Sequence, residues 1–130
     1  MTMRKGAPVT DATTKEIVDT ISRHLARYTD DELAAVRKKF NCVLRLDIAE
    51  AGGTSSYVLD LKSQCTAGPL TEQSPSPHVT AGLSDEDFVR LVNGAENHKR
   101  LFMKGRLKVQ GNMMLLDHIP HLADLLHTAE

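Results

Sequence analysis

Tryptophan is absent from these 130 residues, and three phenylalanines and two tyrosines are the whole aromatic complement. Any core must therefore be built from Leu, Val, Ile, Met and Ala, which favours a soft, adaptable interior over one set by stacked rings. Cysteine is scarce as well. Cys42 and Cys65 alone do not make a disulfide scaffold and are expected as free thiols in a reducing compartment. No apolar run approaches the roughly 18 residues that a bilayer-crossing helix needs. Arg4 and Lys5 are not followed by an apolar stretch, so a secretory signal is not expected. Neither sign of charge prevails. Sixteen basic against seventeen acidic side chains leave a formal net charge of −1, which argues against a domain-wide footprint for nucleic acid.

The motifs of common chemistries are missing too. There is no Gly-x-Ser-x-Gly elbow, Cys-x-x-Cys pair, phosphate-binding Gly-x-x-x-x-Gly-Lys loop or dinucleotide fingerprint. None of the six histidines stands in a recognised arrangement with a cysteine or serine, and His24 reads as a boundary residue of its helix. The sequence therefore assigns no catalytic residue, no metal site and no cofactor.

What is present is an ordinary globular composition, 41% hydrophobic and 25% charged, at a length suited to one domain. Residues 1–12 read as a flexible polar tail and residues 13–130 as the domain. From Thr13, the spacing of Ile17, Val18, Ile21, Leu25 and Tyr28 predicts an amphipathic helix. It suits docking on a core, and its Lys- and Arg-flanked stripe also suits contact with a membrane surface. Thr29 and Glu32 form a capping box that opens a shorter helix with Leu33, Val36 and Phe40 inward. Cys42, Leu44, Leu46 and Ile48 alternate with polar or smaller neighbours, as do Tyr57, Leu59 and Leu61. Together with Gly52 and Gly53 they predict an antiparallel hairpin.

A weaker strand over Gln64 to Leu70 is limited to a sheet edge by Gly68-Pro69, and residues 71–77 form a loop. A strand over His78 to Leu83 then leads to a helix capped by Ser84, whose first-turn Asp85, Glu86 and Asp87 complement the helix dipole. Ala95 to Lys104 predicts a further helix that turns Leu101 and Phe102 inward.

Leu101 to Leu116 is the most informative stretch. Gly105 can take the positive φ that ends a helix. Leu107 and Val109 share one strand face, Lys104, Arg106 and Lys108 share the other, and Gly111-Asn112 suits a tight turn. Met113, Met114, Leu115 and Leu116 would cover more than half of a helix, so they must be buried nearly all round or face something apolar that is not protein. Pro120 predicts a break near Ile119, with Leu122, Leu125 and Leu126 in a short amphipathic tail. Asp117, His118, His121, Asp124 and His127 cluster in sequence, but Pro120 disrupts the regular helix that a zinc site would need.

Phe102 to Met113, read as aromatic-x-x-Gly-Arg-Leu-Lys-Val-x-Gly-Asn-Met, resembles the signature of the sterol carrier protein type 2 family of non-specific lipid-transfer domains. Leu83-Ser84-Asp85-Glu86-Asp87-Phe88 and Leu91-Val92-Asn93-Gly94 resemble the helix that precedes that signature. The order of elements matches over residues 13–119, and the match is close over 79–116. The resemblance implies an α+β fold: a mainly antiparallel sheet of about five strands, one face covered by helices, and an apolar tunnel between them. It also implies non-catalytic binding and transfer of a sterol, fatty acid or fatty acyl-CoA.

The expected lipid-contacting residues are Phe88, Leu91, Leu101, Phe102, Leu107, Val109, Met113, Met114, Leu115, Leu116 and Ile119. Lys104, Arg106 and Lys108 are expected to meet headgroups or a membrane surface transiently. The alternative is an accessory module that presents substrate to a partner enzyme. A monomer is expected, in the cytoplasm or in an organelle reached by another signal, because His127-Thr128-Ala129-Glu130 is not the Ser-Lys-Leu-like end of peroxisomal members.

Overall fold

The structure, a computed structural model, describes residues 13–126. The expected flexible tail, His127 and the C-terminal tetrapeptide lie outside the described residues.

Two reciprocal capping boxes start the chain. The Thr13 hydroxyl accepts from the Glu16 amide at 3.3 Å while the Glu16 carboxylate accepts from the Thr13 amide at 3.0 Å, opening α1 (Thr14–Arg27). Thr29 and Glu32 repeat the arrangement at 3.2 and 2.8 Å for α2 (Asp30–Lys39). Only the second box stands out in the sequence reading. Four strands and their connections follow: β1 (Val43–Glu50), β2 (Gly53–Asp60), β3 (Thr66–Pro69) and β4 (Val79–Ser84). Next come α3 (Asp85–Val92), α4 (His98–Met103) and β5 (Lys108–Gly111). The chain closes with 3-10 segments over Met113–His118 and Pro120–Leu122 and the one-turn α5 (Ala123–Leu126), so the break expected at Pro120 is present.

The five-stranded sheet has the order β3-β2-β1-β4-β5. β1 and β4 run parallel and every other neighbouring pair is antiparallel. The β1–β2 hairpin turns at Ala51-Gly52, since Glu50 pairs with Gly53 and Gly53 already belongs to β2. β3 is an edge strand, where the missing amide of Pro69 is tolerated. His78 lengthens the β1–β4 contact with its side chain: Nδ1 accepts from the Val43 amide at 2.9 Å, and the His78 amide donates to the Val43 carbonyl at 2.9 Å.

Alternation in the strands now acquires its physical meaning. Cys42, Leu44, Leu46 and Ile48, Tyr57, Leu59 and Leu61, and Val79, Ala81 and Leu83 all face the helices and are buried. Against them pack Ile17, Val18, Ile21 and Leu25 of α1, Phe88, Leu91 and Val92 of α3, and Leu101 of α4, in a single apolar cluster. Cys42 and Cys65 are free and buried, and burial pushes both thiols up from their ordinary range. Asp60 is buried as well. Burial alone would raise its carboxyl, but hydrogen bonds from the Ser63, Lys62 and Gln64 amides and the Ser63 hydroxyl hold it below the usual range. No described helix is long and apolar enough to cross a membrane.

Candidate functional site

Of the residues expected to meet lipid, Phe88, Leu91, Leu101, Leu107, Leu116 and Ile119 are buried in the layer between sheet and helices. Val109, Met113 and Leu115 are partly buried against that layer. Phe102 and Met114 are placed differently, 49% and 75% exposed. The inner side of the six-residue α4 is taken by His98 and Leu101, which leaves Phe102 on the flank instead of inward.

Met114 is explained by winding. Met113–His118 is a 3-10 segment, and three residues per turn bring every third side chain to the same side. Met113, Leu116, Ile119, Leu122 and Leu125 fall on that line, and the last four are at most 4% exposed. The run is thus not buried all round. It forms a wall with one apolar stripe of period three, a pattern present in the sequence but hidden by reading it for a period of 3.6.

Polar ties fasten this wall at a few points. His24 Nδ1 donates to the Leu125 carbonyl at 2.8 Å, and Lys39 reaches Asp124 at 2.7 Å. The buried His98 lies 3.4 Å from Asp117 through Nε2. The His118 ring sits 5.5 Å from Phe40; burial, assisted by His121 and Lys39, holds its pKa below the ordinary histidine value. Among the described residues, no three His, Cys, Asp or Glu side chains are placed to hold a metal ion.

The three acids after Ser84 have separate jobs, beyond the dipole role expected of them. Asp85 Oδ1 accepts the Thr14 amide at 2.7 Å, pinning the start of α1 to α3. Glu86 faces Arg90 at 4.0 Å. Asp87, with a side chain 2% exposed, takes a bidentate pair from Arg106, whose Nε and Nη2 donate at 3.0 and 2.9 Å. Arg106 is therefore occupied as a clamp. Nor do Lys104, Arg106 and Lys108 share one strand face, because Lys104 caps α4, Gly105 turns the chain at a φ of 75°, and β5 starts only at Lys108.

Lys108 does face the uncovered side of the sheet. It pairs with Gly82, which in turn lies opposite Asp47. A cleft of about 460 Å³ opens there, lined among others by Asp47, Thr54, Thr80, Ser84, Arg106, Lys108 and Gln110. Its polar and charged side chains share the lining with Ala49, Gly82, Leu83 and Gly105, and Asp47 is already engaged by Arg45 at 2.9 Å and Ser56 at 2.8 Å. The apolar layer lies on the opposite side of the sheet, where the 3-10 wall covers it.

Sterol carrier protein 2 from Yarrowia lipolytica, solved in its apo form, shares this fold with a TM-score of 0.72 and 32% identity, over 90% of this chain and 94% of that one. A fatty acid-binding protein of the same yeast is 42% identical over 82 residues, covering 59% of this chain and 61% of that protein. Peroxisomal multifunctional enzyme A of Dictyostelium discoideum is 38% identical over 82 residues, which are 63% of this chain but 19% of the enzyme. The match thus spans less than two-thirds of either curated relative's own length. The model of the SCP-2 sterol transfer family matches residues 21–124, most of the chain and the whole of the sheet with α2, α3 and α4, and the chain belongs to that family.

Proposed function

We propose that the chain is a non-catalytic lipid carrier. It holds the apolar part of a fatty acid, fatty acyl-CoA or sterol between sheet and helices, and it releases or presents that cargo when the wall after Gly111 moves aside. The observation that carries this is the wall itself. Its inner stripe is fully apolar, yet its backbone is wound as 3-10 turns, which have poorer hydrogen-bond geometry than an α-helix and are rarely sustained. Leu116, Ile119 and Leu122 cover the core when the wall is closed; displaced, they leave an apolar face that a hydrocarbon chain can cover instead. Val109 of edge strand β5 and Met113 and Leu115 just after it, all half-buried, mark the rim where the chain would enter.

Removing lipid methylenes from water drives the association, at about 0.8 kcal/mol each. Ten of them contribute roughly 8 kcal/mol, equivalent to micromolar affinity before the cost of ordering the chain and opening the wall. Apolar burial does not read a headgroup, so several lipid classes should bind. The names of relatives support the same cargo, one being a fatty acid-binding protein. The peroxisomal name of another favours an organelle over the cytoplasm.

Solvent extraction tests the proposal. Protein purified without detergent, extracted and analysed by mass spectrometry, should yield fatty acids, acyl-CoA or sterol in an amount comparable to the protein. Recovery of nothing above that from an unrelated protein prepared in parallel would count against a lipid cargo.

A further inference from the structure

Helix α4 leaves two large apolar side chains in water. Its inner side is satisfied by His98 and Leu101, while Phe102 is 49% and Met103 85% exposed. Cations surround this pair. Lys99 lies one helical turn before it on the same face, Arg100 stands beside it and Lys104 caps the helix, all of them exposed. Glu96 is the one acid between residues 96 and 104, and it is held by Arg100 at 3.5 Å. The segment therefore carries a net charge of +2 in a chain whose total is −1. The pair is also held firmly in place. Asn97 caps the helix start by accepting from the Lys99 and Arg100 amides, the Arg106 amide donates to the Leu101 carbonyl at 2.9 Å, and the Asp87–Arg106 clamp fixes the segment just beyond.

From this arrangement we infer that the exposed face of α4 is the surface by which the carrier touches an anionic bilayer while it exchanges cargo. An apolar pair ringed by cations matches the charge of anionic headgroups and the apolar zone just beneath them. Two side chains are too few for the core of a specific protein interface, which buries on the order of 1,000 Å² or more, whereas a bilayer demands no shape complementarity. Phe and Met also cross the headgroup level without carrying a polar group into it. The contact differs from the one expected of Arg106, which is engaged with Asp87, and from the stripe of α1, which is spent on the core. It rests on the lipid-carrier proposal, because exchange of cargo is what brings the protein to a membrane.

The full chain should be compared with its F102E/M103E variant by sedimentation with phosphatidylcholine vesicles that do or do not contain phosphatidylserine. Binding of a fluorescent fatty acid in solution should be measured on both proteins alongside. Wild-type protein should partition onto the phosphatidylserine vesicles about tenfold more strongly than onto phosphatidylcholine alone, with the difference shrinking as salt rises. The variant should lose about tenfold of that partitioning and keep its fatty-acid binding and urea midpoint. A folded variant that sediments with vesicles like wild type overturns the assignment of this face. Absence of wild-type binding to either vesicle overturns the assignment of a bilayer to this face. Failure to bind fatty acid in solution, with vesicle binding intact, counts against the carrier proposal alone.

Discussion

Replacing Arg106 by alanine is expected to lower the stability of the chain by about 3 kcal/mol, read as a fall in the urea midpoint at unchanged slope. The carboxylate of Asp87 is 2% exposed and receives two hydrogen bonds from a guanidinium that is itself 47% exposed. Removing the arginine leaves a buried charge without the two hydrogen bonds it receives from the guanidinium, whereas the half-exposed guanidinium itself gives up little solvation to make the pair. That asymmetry sets the expected loss at the lower end of the range for broken buried pairs. Arg106→Lys should recover only part of it, because an ammonium cannot reproduce the planar two-point contact. A double variant with Asp87→Asn should cost less than the two single changes added together. A loss under about 1 kcal/mol for Arg106→Ala would mean that the pair is an ordinary surface contact.

Gly111→Ala should be at least as damaging, at about 3 kcal/mol or more. Gly111 has a φ of 92°, and a Cβ placed on it would stand 2.3 Å from the His78 carbonyl oxygen and 3.1 Å from the Val79 Cα. Both obstacles are backbone, so no side chain can swing clear, and β5 would have to pull away from β4. The 3-10 wall begins two residues later and would lose its anchor. Gly52→Ala is the control. Nothing lies within 4 Å of a Cβ there, and its urea midpoint should shift by less than the equivalent of about 0.5 kcal/mol. Equal effects at the two glycines would contradict the close approach of β5 to β4.

Features with a local cause are legible in the sequence. The alternation from Cys42 to Ile48, the capping box at Thr29, the Ser84 cap and the turn at Gly105 each depend on residues within a few positions, and each is found where local chemistry puts it. What fails to show depends on distant partners. Nothing near Asp87 distinguishes it from Asp85 or Glu86, yet Asp87 meets Arg106 across nineteen positions and Asp85 meets Thr14 across seventy-one. His78 likewise gives no sign of accepting the Val43 amide. The wall is an intermediate case. Its period of three is printed in Met113, Leu116, Ile119, Leu122 and Leu125, but a four-residue apolar run and a later proline invite reading as a broken α-helix. Phe102 shows the limit of a periodic pattern in so short a helix, where the flank of α4 is solvent and not core.

The central claim is that the apolar layer behind the 3-10 wall accepts a hydrocarbon chain. Titrating the delipidated full chain with a fluorescent long-chain fatty acid tests it most directly. The structure predicts a saturable rise at a fixed protein-to-lipid ratio, with an apparent Kd at about the micromolar level or tighter and displacement by unlabelled fatty acid; a linear, non-saturating signal that unlabelled fatty acid does not displace would contradict it.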